Sequence, residues 1–274
     1  LAQALGWPYE VKHLAYRKYE FVTNRLLGPT LAGLDRKRSD ILAPPWPDLV
    51  ITAGRRNEPV ARWVQRQSAK RTRLVHLGRP WAPVECFDLV VTTPQYQVPE
   101  RSNVLQVAAP LHAVTPTRLS DAAARWHSVF EPLPRPWTAV LVGGDSPPYV
   151  FDAEMAGRLG RAVTDLARQQ GGTLLVATSP RTNRPAAEAL RMAIGAPCHF
   201  YDWMPDPHSN PYLGYLALAD SIVVTGESMS MIAEACATAK PVYLFDMGRG
   251  WTRMRPLDAP GELPEPLTFL ERLQ

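Results

Sequence analysis

One predicted helix near the carboxyl-terminal end carries three polar residues whose spacing suits ligand binding. The stretch from Met229 to about Ala239 is apolar except for Ser230, Glu234 and Thr238, which recur every four residues and therefore share one stripe of a helix. The start of a helix offers free N–H groups and the positive end of the helix dipole, and both suit a phosphate. We therefore expect a phosphate near Ser230, with Glu234 accepting hydrogen bonds from both hydroxyls of a ribose. A capped helix with one solvated Glu and no ligand is the competing interpretation.

The residues around this helix form a strand–turn–helix–strand unit, which is the repeat of a parallel α/β sheet. Ser221 to Val224 and Val242 to Phe245 are short apolar runs, typical of buried strands. Thr225 to Glu227 break the first run, and Ser228 is placed to cap the helix. The helix is apolar almost all round, which predicts that it is buried.

Two polar loops upstream also follow predicted strands. Gly143 to Ser146 come directly after the predicted strand Trp137 to Val142, and a loop with Ser, Arg and Thr follows the strand Thr173 to Ala177. Backbone N–H groups of such a Gly-rich loop suit a phosphate, although a plain turn accounts for it equally well. Because ligands of parallel sheets bind beyond the carboxyl ends of the strands, we expect these loops to converge on one ligand. The predicted nucleotide-binding residues are Gly143, Gly144, Asp145, Ser146, Ser179, Arg181, Thr182, Thr225, Glu227, Ser228, Ser230 and Glu234.

Three further residues are candidates for the chemistry of a second substrate. Arg55 and Arg56 follow the predicted strand Asp48 to Thr52 and suit an anionic sugar or a lipid phosphate on the acceptor side, unless they are solvated surface arginines. His112 is a candidate general base with no partner in view, and no other catalytic residue is assigned. The remaining histidines lack metal-ligand spacing, so we expect no metal.

Strands alternate with helices along most of the chain, which predicts parallel sheets covered on both faces. The pattern restarts after the Pro-rich linker E-P-L-P-R-P at 131–136. We therefore predict two doubly wound, Rossmann-like α/β domains, residues 1–133 and 134–250, facing a cleft that holds the ligand, and a Pro-rich tail, residues 251–274. The other predicted strands are Tyr9 to Leu14, Thr72 to Leu77, Phe87 to Thr92, Val104 to Ala108 and Cys198 to Tyr201. The other predicted helices are Leu1 to Leu5, Pro59 to Gln67, 113–127, Ala153 to Gln169, Pro185 to Ile194, Tyr212 to Ala219 and Leu267 to Leu273, with a polar segment of helical character running to Leu27.

The amino-acid composition limits the classes of binding partner and the cellular compartment that we expect. The 274 residues are 46% hydrophobic and 20% charged, as in a globular protein, with a net charge of +4. The arginines are scattered, which argues against dedicated nucleic-acid binding and favours anionic small ligands or an anionic membrane surface. Cys86, Cys198 and Cys236 have no metal-like spacing and indicate a reducing compartment. No apolar window is long enough to span a bilayer, so we expect a cytoplasmic protein that is at most peripheral to an inner membrane. The chain begins with Leu, which leaves an upstream targeting segment open.

Several stretches resemble the mitochondrial-fission "elongated mitochondria" family, which includes a plant fission factor and bacterial proteins of unknown function. They are P-D-L-V-I-T-A-G-R-R, F-D-L-V-V-T-T-P, A-P-L-H-A-V-T-P, A-T-S-P-R-T, N-P-Y-L-G-Y-L-A-L-A-D and G-E-S-M-S-M-I-A-E-A-C-A-T-A-K-P-V-Y, and they lie between about Pro47 and Asp246. The last stretch also resembles the nucleotide site of glycosyltransferase-B enzymes, notably the N-acetylglucosamine transferase of peptidoglycan synthesis. In those enzymes a Ser/Thr-rich helix start holds the diphosphate, and a helical Glu, matched by Glu234, holds the ribose.

The resemblance implies a two-domain glycosyltransferase-B fold whose first strand would precede Leu1, and it implies a longer tail after Gly248. It also implies a uridine-based nucleotide-sugar, bound without a further cofactor, whose sugar is transferred to an acceptor not yet identified. Two alternatives stay open. A sugar-nucleotide epimerase shares the fold but needs acidic and basic residues around the sugar. A non-catalytic adaptor that recruits a dynamin-like protein needs a large exposed apolar patch.

Overall fold

A computed structural model describes residues 2–17, 28–146, 149–206 and 208–247. The chain divides into two compact units, Leu1–Leu111 and His112–Gln274. Each unit has its own parallel β-sheet. The predicted α/β class with two Rossmann-like units is therefore confirmed.

The first unit contains a four-stranded parallel sheet whose strands lie side by side in chain order. Its strands are β1 (Leu49–Ala53), β2 (Arg73–Leu77), β3 (Leu89–Thr92) and β4 (Val104–Gln106), its helix is α1 (Glu58–Gln67), and short 3₁₀ turns cover Gln3–Leu5, Val84–Cys86 and Pro94–Tyr96. Helix α1 buries Ala61 against Leu74, Phe87 and Val90. This packing fixes the position of the loop between β1 and α1.

The second unit is doubly wound. Its strands are β5 (Trp137–Leu141), β6 (Thr173–Ala177), β7 (Cys198–Tyr201), β8 (Ser221–Thr225) and β9 (Val242–Phe245), and its helices are α2 (Pro116–Phe130), α3 (Ala153–Gln170), α4 (Arg184–Ala193), α5 (Tyr212–Leu218) and α6 (Met229–Cys236). The strand order is β7-β6-β5-β8-β9, so the sheet grows from β5 first in one direction and then in the other.

Alternate residues of the five-stranded sheet face two separate hydrophobic cores. Ala139 and Leu141 of β5 face the core shared with α2, α5 and α6, whereas Val140 faces the core shared with α3 and α4. All five residues of β5, β6 and β8 are buried. A rigid, doubly covered sheet thus supports the loops at its carboxyl edge.

Most of the predicted elements form, but some details differ from the predictions. Tyr9 to Leu14 is not a strand, because the backbone N–H groups of His13 and Ala15 donate to the side chains of Asp40 and Ser39 instead of to a neighbouring strand. The chain divides at Leu111, on the amino-terminal side of the Pro-rich linker, because α2 packs on α5 of the second unit. The predicted helix at Leu267 to Leu273 and the polar segment up to Leu27 lie outside the described residues, apart from the start of the latter.

The remaining differences concern helix α6, which is shorter and more exposed than predicted and is not capped by Ser228. It ends at Cys236, where Thr238 donates its hydroxyl to the carbonyl of Ala235 at 2.7 Å and Ala239 takes a left-handed φ of 57°. Ser228 is the first flanking residue, but its side chain makes no capping hydrogen bond. Met229 is exposed, so the helix is buried on one side only.

Candidate functional site

The candidate site lies at the carboxyl edge of the second sheet, where β5 and β8 are neighbours. The connection after β5 runs to one side of the sheet, and the connection after β8 runs to the other. The two loops therefore diverge and leave a crevice, which is where open α/β sheets bind ligands. The loop after β5 contains Gly143 and Gly144, and the loop after β8 runs from Gly226 to Ser228.

Gly143 and Gly144 are enclosed by the side chains and backbone of the neighbouring loops. Gly143 N–H donates to Thr225 Oγ1 at 2.9 Å, and the carbonyl of Gly143 accepts from Ser179 Oγ. A Cβ at Gly143 would collide with Glu227, and one at Gly144 would collide with the backbone of Arg181. Gly144 also has a φ of +99°, which only glycine adopts readily. The two glycines allow the three loops to approach each other closely.

Arg181 joins these three loops through its guanidinium group. Nη1 donates to the carbonyl of Asp145 at 3.2 Å, and Nη2 donates to Ser228 Oγ at 3.3 Å. The same Nη2 lies 3.9 Å from Glu227 Oε1, and 41% of the side chain is exposed. A positive charge is thus held beside the first turn of α6 while part of it still faces solvent.

Glu227 is the most unusual group of the site. Its side chain is 0% exposed, Thr225 Oγ1 donates to Oε1 at 3.2 Å, and Oε2 has no hydrogen-bond partner among the described residues. Burial raises the pKa of this carboxyl group. Hydrogen bonding to the backbone of Glu227 and Gly144, the Thr225 hydrogen bond and the charge of Arg181 oppose that rise. An unsatisfied buried oxygen is costly, so its presence calls for an explanation.

Glu234 has a hydrogen-bond partner inside the protein, which the sequence pattern does not predict. Tyr212 Oη on α5 donates to Glu234 Oε2 at 2.6 Å. Burial and the neighbouring Glu234 charge both raise the pKa of Tyr212, so the phenol keeps its proton. Glu234 is half-buried, and the part of the chain that the structure describes gives its Oε1 no hydrogen bond. Ser230, one turn earlier, is exposed.

The other predicted residues of this edge hold the loops in shape. Asp145 Oδ1 accepts from Phe151 N–H at 2.8 Å, and Ser179 N–H donates to Thr182 Oγ1 at 3.1 Å. Ser146 exchanges backbone hydrogen bonds with Tyr149. The structure thus brings the residues after β5, β6 and β8 together, as the sequence predicts.

Trp203 is a residue that the sequence reasoning missed. It follows β7, its backbone N–H donates to Thr178 Oγ1 at 2.9 Å, and Thr178 directly precedes Ser179. The side chain is 39% exposed, and its indole N–H makes no hydrogen bond within the described ranges. A Trp two residues beyond the end of a predicted strand was the available signal.

In the first unit, Arg55 and Arg56 line an open depression of about 450 Å³ at the carboxyl end of β1, together with Tyr16 and Asn57. The Arg55 guanidinium lies 4.6 Å from the centre of the Trp81 ring, a cation–π contact. These arginines therefore belong to a different sheet from the cluster around Arg181.

Glu58 and His76 form a buried polar pair behind this depression, which the sequence reasoning also missed. Glu58 accepts hydrogen bonds from the backbone N–H groups of Trp81 and Ala82, each at 2.9 Å. His76 Nε2 lies 3.9 Å from Glu58 Oε1, and burial lowers the pKa of His76 to about 4. Burial raises the pKa of Glu58, against those two backbone hydrogen bonds. Glu58 thus anchors the backbone that carries Trp81.

His112, the candidate base, is exposed at the start of the second unit and makes no hydrogen bond or ion pair with the described residues. The described residues contain no group of three side chains that could hold a metal ion. None of the described helices is long and apolar enough to cross a membrane. The three cysteines are unpaired.

Comparison with known protein families shows to which family the chain belongs. The sequence profile of the family described as Mitochondrial fission ELM1 matches residues 1–259. The chain belongs to the mitochondrial fission ELM1 family. This agrees with the resemblance seen in the sequence motifs.

Two relatives of this ELM1-family chain are identical to it at about a quarter of the aligned positions. The Mitochondrial fission protein ELM1 of Arabidopsis thaliana is 28% identical over 220 residues, covering 72% of this chain and 51% of the relative. An uncharacterized protein of Rickettsia prowazekii is 23% identical over 231 residues, covering 73% of this chain and 64% of the relative. The chain thus spans between about half and two thirds of the length of these relatives.

Solved structures show more distant similarity. A UDP-GlcNAc 2-epimerase from Neisseria meningitidis bound to UDP-GlcNAc superposes with a TM-score of 0.46 at 14% identity, covering 72% of this chain and 59% of the epimerase. A universal stress protein from Archaeoglobus fulgidus gives a TM-score of 0.27 at 18% identity, covering 42% of this chain and 97% of that protein.

Proposed function

We propose that the second unit of this chain binds a nucleotide-sugar, that is, a nucleoside diphosphate joined to a sugar, with uridine as the expected nucleoside. One observation carries the proposal: the Arg181 guanidinium donates to Ser228 Oγ at 3.3 Å, directly before the first residue of α6. A guanidinium group, a hydroxyl group and the N–H groups of a helix start together suit the oxygens of a diphosphate. The enclosed Gly143 and Gly144 bring the backbone of a third loop to the same point.

Two further side chains of this unit match the remaining parts of a nucleotide. Glu234 lies further along α6, and its Oε1 is available for a ribose hydroxyl while Tyr212 orients the carboxylate through Oε2. The exposed ring of Trp203, beyond β7, offers a surface on which a base can stack.

The reaction we propose is transfer of the sugar to an anionic acceptor held by Arg55 and Arg56. The stacking of Arg55 on Trp81 reduces the freedom that its guanidinium would lose on binding a sugar phosphate or lipid phosphate. His112 is retained as the candidate base. The unpaired cysteines suit a reducing, cytoplasmic compartment.

Nucleotide binding is tested first by a thermal-shift screen against nucleotides and nucleotide-sugars. A ligand present at about 100 times its Kd adds about 2.7 kcal/mol to the free energy of unfolding. We expect uridine diphosphate and its sugars to raise Tm, and we expect Arg181→Ala to weaken their binding about tenfold or more in calorimetric titration, because it removes charge-assisted hydrogen bonds.

Arg184→Ala is the matched control. Arg184 is an exposed arginine three residues further along that forms an ion pair with Glu188 on the same helix. This variant keeps the wild-type affinity if the effect of Arg181 is local. Equal affinities of the wild type and Arg181→Ala, or no nucleotide binding by the wild type, contradict the proposal.

A further inference from the structure

Positive charge is concentrated in the first unit of the chain. This unit, Leu1–Leu111, contains 16 Lys and Arg against nine Asp and Glu, whereas the second unit contains 14 against 17. A charge excess of this kind attracts anionic partners and raises their rate of association. The placement of the arginines on the first unit then indicates which face such a partner meets.

Three loops at the carboxyl edge of the first sheet carry arginines and aromatic rings. The loop after β1 contains Arg55 and Arg56, the loop after β2 contains Arg79 and Trp81, and the loop after β3 contains Tyr96. Arg55 lies over the ring of Trp81, and Arg79 Nη1 donates to the carbonyl of Tyr96 at 3.2 Å. These contacts join the three loops into one surface, which we call the basic edge.

The basic edge faces solvent, and its loops carry no acidic residue. The three arginines are exposed, and so are Trp81 (42%) and Tyr96 (39%). No Asp or Glu occurs in the residues that form the loops, 54–57, 78–83 and 93–99. Glu58 directly follows the first loop, but its carboxylate is buried and accepts hydrogen bonds from the Trp81 loop. The positive charge of the exposed surface is therefore not cancelled from within the loops.

Other basic stretches of the first unit lie among acidic residues. Arg71 and Arg73 are at the amino end of β2, on the opposite edge of the sheet, and Arg73 pairs with Asp88 at 2.6 Å. The run of basic residues at 36–38 follows Asp35 and precedes Asp40. The opposite edge thus carries the same residue type with part of its charge neutralised, and it provides a matched control.

We infer that the basic edge docks on an anionic lipid bilayer, from which the chain takes the acceptor of the proposed reaction as a lipid phosphate. The inference rests on the proposed function for the role of that lipid, whereas the docking itself needs no nucleotide. Arginines bind lipid phosphates, and Trp and Tyr rings lie at the boundary between headgroups and acyl chains. The exposed rings of Trp81 and Tyr96 beside the arginines fit a bilayer surface better than a soluble anion, which has no apolar layer for them.

The strength of such docking depends on charge and on salt. Each Lys or Arg close to an anionic membrane strengthens binding about fivefold. Removal of two arginines of the basic edge should therefore weaken binding about 25-fold. Added salt screens the same attraction, so binding should fall as ionic strength rises.

The experiment is sedimentation of the chain with vesicles, in the absence of nucleotide. One set of vesicles is equimolar phosphatidylcholine and phosphatidylglycerol, and the other is phosphatidylcholine alone. We expect the wild type to bind the anionic vesicles and not the neutral ones. The variant with both Arg55→Gln and Arg79→Gln should bind about 25-fold more weakly. Trp81→Gln should also bind more weakly, although its charge is unchanged.

The control variant combines Arg71→Gln with Arg73→Gln, which removes the same charge from the opposite edge of the sheet. We expect it to bind anionic vesicles nearly as well as the wild type. Equal weakening by the two double variants would show that net charge holds the chain to the vesicles, and it would overturn the inference. Thermal unfolding of each variant shows that the differences do not arise from loss of the fold.

Further outcomes separate the bilayer from a free phosphate, and the docking from the proposed function. If inorganic phosphate releases the chain from vesicles more than sodium chloride of equal ionic strength does, the edge binds phosphate in solution and the inference is wrong. A chain that binds uridine diphosphate but no anionic vesicles overturns the inference alone. A chain that binds the vesicles but no nucleotide supports the docking and contradicts the proposed function.

Discussion

Glu234 accepts a 2.6 Å hydrogen bond from Tyr212, which lies 22 residues earlier in the sequence. The polar stripe on α6 predicted that Glu234 is functional, but no local pattern predicts a partner on another helix. The same limit applies to Glu227, since its unsatisfied Oε2 is visible only once three loops are folded together. The sequence thus predicted which residues are candidates for the site, but it did not predict the groups that they contact in the folded protein.

The two carboxyl oxygens of Glu234 give separable effects on stability and binding. Glu234→Ala leaves the Tyr212 hydroxyl without its acceptor, so we expect a loss of about 1–3 kcal/mol of unfolding free energy as well as weaker nucleotide binding. Glu234→Gln keeps an acceptor for Tyr212 and loses the charge. We expect it to remain close to wild-type stability and to bind uridine diphosphate roughly tenfold more weakly.

Denaturant unfolding and calorimetric titration of both variants test this pair of effects. Tyr212→Phe is the control, because it removes the same hydrogen bond from the other side and leaves the carboxylate in place. If Glu234→Gln binds the nucleotide as tightly as the wild type, Glu234 has a structural role only.

At the scale of elements, the residues that flank each apolar run decided how well the sequence predicted its bounds. The strands Thr173–Ala177, Cys198–Tyr201 and Val242–Phe245 begin and end where the apolar runs do, because Gly, Pro and polar residues bound them. The segment Tyr9 to Leu14 has a comparable pattern but bonds to side chains of a loop. A strand signal without a partner strand is not sufficient, and the partner is a tertiary property.

The contact between α1 and β2 makes the stability of the first unit depend on pH. His76 is buried in its neutral form, with a pKa of about 4 against 6.5 normally. The unfolded chain therefore takes up a proton at His76 before the folded chain does, and unfolding free energy falls as pH decreases from 6.5 to about 4. We expect a loss of roughly 2–3 kcal/mol from this residue. The raised pKa of Glu58 acts in the opposite direction, since it favours folding as that group becomes protonated.

Urea unfolding of the wild type and His76→Leu across this pH range measures the contribution. The difference between the two proteins isolates His76, because Glu58 is present in both. We expect the stability of His76→Leu to fall less on acidification. Parallel pH profiles would show that His76 is already charged, or accessible to solvent, in the folded protein.

At the scale of the whole molecule, the alternation of strands and helices predicted two parallel α/β units, and the structure confirms them. The sequence did not predict the reversal of strand order at β5. That order depends on which side of β5 each connection places the next strand. That reversal opens the crevice between the loops after β5 and β8. Membership of the ELM1 family is consistent with the motifs at these loops, several of which lie at the carboxyl edges of the two sheets.

We propose above that the carboxyl edge of the second sheet binds a nucleoside diphosphate. Diffraction from crystals of the chain grown with uridine diphosphate tests it most directly. We predict density for the diphosphate within about 3.2 Å of the Arg181 guanidinium and of the first N–H groups of α6. The ribose should then lie at Glu234 and the base against Trp203. A nucleotide bound elsewhere would contradict this prediction. So would an empty crevice in crystals grown at a nucleotide concentration that saturates the protein in solution.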